Sequence, residues 1–487
     1  MNSSVSTVPR QRIPAGLPIA VLVLSLTLGC PFPAVAESTS AGTLPDREPG
    51  YSASALAEEN SALTLRDAVR FALQHNPELA AFAKEMRALE GVTLQAGLLR
   101  NPELVVNIEN VGNVQKLQGD VNSSHAVAQE VVQQLSTIRL NQLIELGGKR
   151  PARVAAASLG QEVAGKDYEF RRVELIARVA NVFIEVLAGQ ERLRLAEETS
   201  QLAQKVVNTV ARRVQAGKVP PIEETRAGVA LSTTRIELVQ AQRDLAAARK
   251  RLTLLWGNPS PQFSKALGDL GSLVTLPSFE ALEERVLASP MAQRSIKNLE
   301  QRKAMLTVEQ TRRIPNLTLG GGALHHAQLG GTTIVAGLMV PLPLFDRNQG
   351  NLREAYQRVD KAIDEQAATD LRLKAELTQA YEALSAAQNE IKVLRNEILP
   401  AARSAFEVTN RGYELGKFGY LEVLDTQRTL FQNQVLYVRA LANYQRLVNE
   451  LERLIAGPLD NTADGTPADA ANRPVSQDDN TAQGFKE

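Results

Sequence analysis

The sequence predicts an α+β chain, mostly long α-helix, built from two copies of one helix–strand–strand–helix-pair unit. Three observations carry that prediction. Aromatic residues make up only 4% of the 487 while Ala, Leu, Gln, Glu and Arg dominate the middle, a mixture suited to narrow helical seams rather than one bulky core. Residues run without proline for 68 positions from Ala152 to Val219 and for 48 from Leu352 to Leu399. Proline-centred motifs recur in order: Pro77 and Pro102 return as Pro290 and Pro315, each 213 residues on.

The chain opens with a removable segment. Arg10 and Arg12 precede an apolar run, Leu17–Leu28, and Ala34-Val35-Ala36 supplies a small-x-small cleavage site. Residues 1–36 therefore read as a secretory signal peptide cut between Ala36 and Glu37. Cys30, the only cysteine, offers the alternative of lipid attachment after Leu28-Gly29. With cleavage at Ala36 the exported chain keeps no thiol, and its 52 basic residues stand against 54 acidic ones. So balanced a charge gives no pull toward nucleic acid.

Residues 37–62 read as a mobile leader and 458–487 as a disordered tail, both short of apolar residues. The first structural repeat is expected over 63–270 and the second over 271–457. Beyond the prolines, Arg153, Gln190 and Gly217-Lys218 return as Arg353, Gln388 and Gly416-Lys417, now about 200 residues on. The drop in spacing places a shortened connection between the two strands of the second copy. Each repeat opens with a helical pattern, Asp67–Arg100 and Glu280–Arg313, ending just before a proline. Alternating apolar residues predict strands at Glu103–Glu109, Ser136–Leu146, Asn316–Ala323 and Thr332–Leu344. The proline-free stretches predict helices on the order of 70 to 100 Å long, with Gly160, Gly165 and Gly189 as candidate interruptions of the first.

Strands of this length can cross an outer membrane at a tilt, but an open sheet edge cannot face lipid. The smallest closed barrels need about eight strands, so four require partners. Two copies close a packed barrel and three leave space for a pore. A periplasmic sheet with coiled-coil arms is the other reading of the same pattern.

The strand leading into Ile144-Glu145-Leu146-Gly147-Gly148-Lys149-Arg150, and the one leading into Pro341-Leu342-Pro343-Leu344-Phe345-Asp346-Arg347-Asn348-Gln349-Gly350, resemble the TolC-like outer membrane efflux proteins. Within them the closest resemblance is to the heavy-metal, CzcC-type cobalt–zinc–cadmium branch. The resemblance covers roughly Leu63 to Gly457. It implies a homotrimer whose four strands per chain form a twelve-stranded outer-membrane β-barrel continued by a periplasmic α-helical barrel. It further implies a periplasmic membrane-fusion adaptor, an inner-membrane pump of the resistance-nodulation-division class, heavy-metal cations as cargo and no cofactor. Multidrug efflux or type I secretion is the alternative within transport.

Glycine and proline mark the far turns at Gly217-Lys218 and Gly416-Lys417, and the resemblance makes these tips the adaptor contacts. It also carries the periplasmic aperture onto Glu422 and Asp425, acids one helical turn apart that follow Gly416. Glu223 matches the first of them in the other copy, while Arg226 stands where the second would be. The ordinary alternative is a set of solvated helix charges. His75, His125, His325 and His326 are the only histidines, and His325-His326 is expected in a surface loop with no carboxylate at ligand spacing. No nucleophile–base set, phosphate loop or zinc motif occurs, so an enzyme is not expected.

Overall fold

The computed structural model describes residues 62–109, 134–326 and 330–459. The expected signal segment with Cys30, Ala36 and Glu37, the leader up to Ser61, His125, and the tail beyond Leu459 lie outside the described residues. The described elements run β1 (Leu63–Thr64), α1 (Leu65–His75), α2 (Pro77–Gly97), β2 (Glu103–Glu109), β3 (Leu135–Ile144), α3 (Lys149–Gln215) and α4 (Pro221–Leu254). After β4 (Ala266–Leu267) the order returns: α5 (Phe279–Leu287), α6 (Pro290–Arg312), β5 (Leu317–His326), β6 (Gly331–Met339), α7 (Gln349–Val393), α8 (Leu399–Glu414) and α9 (Tyr420–Ile455).

Each opening helical pattern is two helices, not one. Pro77 and Pro290 stand at the first helical position, where a missing N–H costs nothing. The preceding Asn76 and Ser289 are held extended, and the Asn76 side chain accepts from the Leu79 amide. Helix α3 runs unbroken for 67 residues, roughly 100 Å, straight through Gly160, Gly165 and Gly189. At Gly189 the missing side chain serves packing, because a Cβ there would stand 3.3 Å from Leu245 Cδ1 on α4. The second long helix does not stop before Pro400 as expected. A single π turn, Leu394–Ile398, joins α7 to α8, and the Leu399 amide reaches back to the Leu394 carbonyl. That wider turn carries the helix past a proline that can neither donate nor sit within a regular α turn.

Strands β2, β3, β5 and β6 form one antiparallel sheet in that order, leaving β2 and β6 as open edges. The link between β2 and β3 spans 110–134, whereas 327–330 suffices between β5 and β6. Register aligns Leu104 with Leu140, Val106 with Ile138, Ala323 with Ile334 and Leu319 with Leu338 on one face. Those apolar side chains are exposed, Ile334 by 92%. The opposite face carries Glu103, Asn107, Arg139, Asn141 and Thr318. Strand β6 ends at Met339, earlier than the alternation through Leu344 suggests, since Pro341 and Pro343 withhold ladder donors. No described helix is long and apolar enough to cross a membrane.

The hydrophobic core sits in the helical part, around Phe183 of α3, Leu252 of α4, Leu282 of α5, Leu377 of α7 and Tyr444 and Leu451 of α9. Each such side chain contributes on the order of 1.5–3 kcal/mol by leaving water. Polar clamps fix the connections around it. Gln190 pairs with both the N–H and C=O of Ala266, and the Tyr444 hydroxyl accepts from the Val274 amide while donating to its carbonyl. Order extends past Gly457: Arg285 donates to the Pro458 carbonyl, and Leu459, assigned by sequence to the tail, is buried.

Replacing Tyr444 by Phe leaves the ring packed and orphans the Val274 amide. The expected loss is about 1–3 kcal/mol, read as an earlier midpoint of denaturant unfolding by the helical signal in detergent. An unchanged midpoint would show that the clamp contributes nothing.

Candidate functional site

Two places combine polar chemistry with fixed geometry: the tips of the helix pairs and the junctions where strands become helices. Both tips use one device. Two residues past the end of α3 stands Gly217 (φ 68°), and two past the end of α8 stands Gly416 (φ 75°), left-handed positions that favour glycine. The Lys218 amide then closes on the Arg213 carbonyl at 2.9 Å, and the Lys417 amide on the Gly412 carbonyl at 2.8 Å. Both lysine side chains are thereby presented on exposed turns.

Beneath the turns lies a small separate core of Val210, Ala227, Tyr413, Tyr420 and Val423, which ties the first helix pair to the second. Arg213 lies over the Tyr413 ring at 4.4 Å and donates to the Tyr413 carbonyl at 2.6 Å. The Tyr413 hydroxyl and one Glu223 carboxylate oxygen are buried without a hydrogen-bond partner among the described residues. Burial raises the Tyr413 phenol; Arg213 opposes the shift and Glu223 adds to it. The Tyr420 phenol is pushed up to about 12 by burial, with Tyr413 and Glu223 contributing.

The structure thus separates the three sequence-derived aperture residues. Glu422 and Asp425 are exposed on the first turns of α9, and Arg226 is exposed on α4. Glu223 is half-buried and turned into the clasp between the two helix pairs. Arg213, Tyr413 and Tyr420 have no role that the sequence alone assigns. The only hint is a tyrosine three residues before Gly416, which gains meaning once Arg213 is seen to cross from the other pair.

At the first junction Gly147 and Gly148 both have φ 73°, turning the strand into α3. Glu145 accepts two bonds from Arg153, at 2.6 and 2.9 Å, and has Arg100 at 3.9 Å. The Arg153 hydrogen bonds hold the Glu145 carboxyl below its usual range against the opposing effect of burial. At the second junction Asn348 takes the left-handed position (φ 60°), and its side chain donates to Glu309 rather than capping α7. Asp346 accepts from the Asn348 amide, closing that turn.

His325 and His326 do not lie as expected. His325 and His326 are the last residues of β5, not a loop, and as strand neighbours they point to opposite faces. They cannot jointly hold one ion. His325 contacts Thr332 across the hairpin, and the His75 ring meets the Phe71 carbonyl within its own helix.

A family model described as "Outer membrane efflux protein" matches residues 68–258 and 286–457. The chain is 37% identical to the cobalt-zinc-cadmium resistance protein CzcC of Cupriavidus metallidurans, over 82% of this chain and 91% of that protein. It is 27% identical to the pyoverdine export outer membrane protein OpmQ of Pseudomonas putida, over 88% and 93% of the two chains. The solved outer membrane protein VceC of Vibrio cholerae superposes with a TM-score of 0.64 at 20% identity, covering 81% of this chain and 97% of that one. At that identity the superposition establishes a common fold.

The clasp has a pH signature. A phenol whose folded pKa is raised favours folding while neutral, so that contribution is complete below about 10 and is lost as pH rises toward about 12. Tyrosinate absorbance of the folded protein should therefore lag that of the unfolded chain in this window. Tyr420→Phe should remove the latest-titrating phenol and so reduce the lag; amplitude lost instead near the ordinary phenol pKa of about 10 would show Tyr420 to be freely solvated.

Proposed function

The chain belongs to the outer membrane efflux protein family, and we propose that it is the outer membrane channel of a tripartite pump exporting heavy-metal cations such as cobalt, zinc or cadmium. One observation carries the channel reading. A four-stranded sheet with an exposed apolar face and two open edges feeds directly into helices far too long for its own core. In lipid, the unpaired amides of β2 and β6 have no water to satisfy them. Pairing β6 of one copy with β2 of the next removes every edge, and three copies close a twelve-stranded barrel wide enough for a pore. The helices support the same assembly: Ile222, Val229 and Ile236 stand seven residues apart on α4, all exposed, as a seam awaiting a neighbouring helix.

In this reading the barrel crosses the outer membrane of a Gram-negative cell and the helices extend into the periplasm. The exposed tips, Gly217-Lys218 and Gly416-Lys417, meet a membrane-fusion adaptor, which links the channel to an inner-membrane pump of the resistance-nodulation-division class. The protein serves as a conduit and performs no chemistry on its cargo. Three copies bring Glu422 and Asp425 together as six carboxylates around the axis. Such a ring attracts cations and repels itself, so it is held closed by the clasp of Arg213, Tyr413, Glu223 and Tyr420 and opens when the helix pairs separate. Likeness to CzcC over nearly its full length favours metal over organic cargo.

Deleting the chromosomal gene should lower tolerance to cobalt, zinc or cadmium in a growth panel that also includes nickel, copper and dyes. Sensitivity to dyes alone would assign the channel to drug efflux. In planar bilayers, replacing Glu422 and Asp425 together by Ala should raise single-channel conductance and weaken cation selectivity. If both stay at wild-type values, the acids are ordinary surface charges.

A further inference from the structure

The two junctions differ in how their arginines are neutralised. In the first, Glu145 neutralises Arg153 and faces Arg100. In the second, Arg353 and Arg313 occupy the corresponding places, since they follow Arg153 by 200 residues and Arg100 by 213. The position of Glu145 is taken by Phe345, and Arg347 has been added where the first junction has Gly147. Arg313, Arg347 and Arg353 line one cavity of about 360 Å³ together with Gln349, Tyr356 and Gln357. None of the three makes an ion pair among the described residues, whereas Arg312 and Arg358 close by are paired with Glu309 and Glu354. Asp346, beside Arg347, accepts from the Asn348 amide, and Glu354, beside Arg353, is the partner of Arg358.

Three unpaired guanidinium groups in one cavity call for an anion with several oxygens. Helix α7 starts beside this cavity, with Gln349 both its first residue and part of the lining, and no side chain caps it. What favours a lipid is the segment that precedes it. Val340, Leu342, Leu344 and Phe345 are all exposed, Phe345 by 91%, immediately before Arg347 and directly after the apolar face of β6. An apolar anchor running into a cationic cavity at the base of a sheet matches an acyl chain followed by its headgroup.

We propose that Arg313, Arg347 and Arg353 bind the phosphate of an anionic phospholipid, such as phosphatidylglycerol, in the periplasmic leaflet of the outer membrane. The proposal rests on the reading of the sheet as part of a membrane barrel. The headgroup supplies the negative charge that Glu145 supplies internally in the first repeat. It anchors the strand-to-helix junction to the membrane surface, so the barrel cannot slide along its axis when the helices below it move.

The test uses the full chain in nanodiscs containing equal phosphatidylglycerol and phosphatidylcholine, with retained lipid identified by native mass spectrometry. Wild type should retain phosphatidylglycerol preferentially, with a contribution of about fivefold for each arginine that meets the phosphate. The triple variant Arg313→Gln, Arg347→Gln, Arg353→Gln should retain both lipids equally. Phe345→Glu, which restores the internal carboxylate, should abolish the preference, while Phe345→Gln should keep it. Equal retention by wild type, or loss in Phe345→Gln as great as in Phe345→Glu, overturns the proposal. So does displacement of phosphatidylglycerol by excess inorganic phosphate without loss of anchoring, which would mark a free-phosphate site. It also fails if the variants dissociate the oligomer while lipid retention is unchanged, because the arginines then face a carboxylate of a neighbouring copy. Failure of wild type to insert into discs at all would remove the barrel reading itself, and is seen before any lipid is counted.

Discussion

Everything in this chain follows from hydrogen bonds it cannot make alone. The sheet of β2, β3, β5 and β6 satisfies its inner ladders but leaves the outer edges of two strands without a partner strand among the described residues. In water that cost is small; in hydrocarbon each orphaned group costs several kcal/mol. The same sheet turns its larger aliphatic side chains outward, so the surface that most needs lipid belongs to the element that tolerates it least. Closure by further copies resolves both demands at once. It also explains why the core lies in the helices: the sheet has one face for lipid and one for the pore, and neither can serve as an interior.

Duplication gives the molecule its economy, and the departures from it show where the two halves work differently. Shared geometry appears at backbone turns. Left-handed positions recur at Gly148 and Asn348, and again at Gly217 and Gly416, because a strand entering a long helix and a helix reversing on itself each admit few solutions. Side chains have diverged around that frame. Tyr420 and Tyr413 lie in the second helix pair, while Arg213 and Glu223 approach from the first. A clasp between two halves requires unlike partners, so strict symmetry could not have built it.

The periodic features are legible in the sequence, and those that depend on contact across the repeat are hidden there. Alternation in Glu103–Glu109 and Asn316–Ala323, the proline-free helices and the glycine turns are visible because each is a local rule repeated many times. Expectation and structure part where one residue overrides its neighbours. Pro400 reads as a stop, and a π turn absorbs it. Pro341 fits the alternation of a strand that nevertheless ends at Met339. His325-His326 reads as a loop because the predicted strand stops at Ala323, whereas β5 runs three residues further, to a pair of adjacent histidines that carries no alternation. Glu223 and Glu422 hold matching places in the two copies, yet one is drawn into a cluster and the other is left in solvent. Only a partner about 200 residues away distinguishes them.

The chemistry of the clasp suits a duct for cations. A closed tip held by surface ion pairs would weaken as salt or cargo accumulated, because the Debye length, about 10 Å at 0.1 M, shortens as ions are added. Here the holding contacts are a guanidinium bonded to a backbone carbonyl, a cation over a ring and two desolvated phenols. In the proposed gate the exposed acids Glu422 and Asp425 respond to passing ions, while the clasp behind them does not. In that proposed gate, attraction of cargo and resistance to opening fall to different residues. Such a gate would concentrate cations at its mouth without being loosened by them, and would yield to a partner that pulls the helix pairs apart.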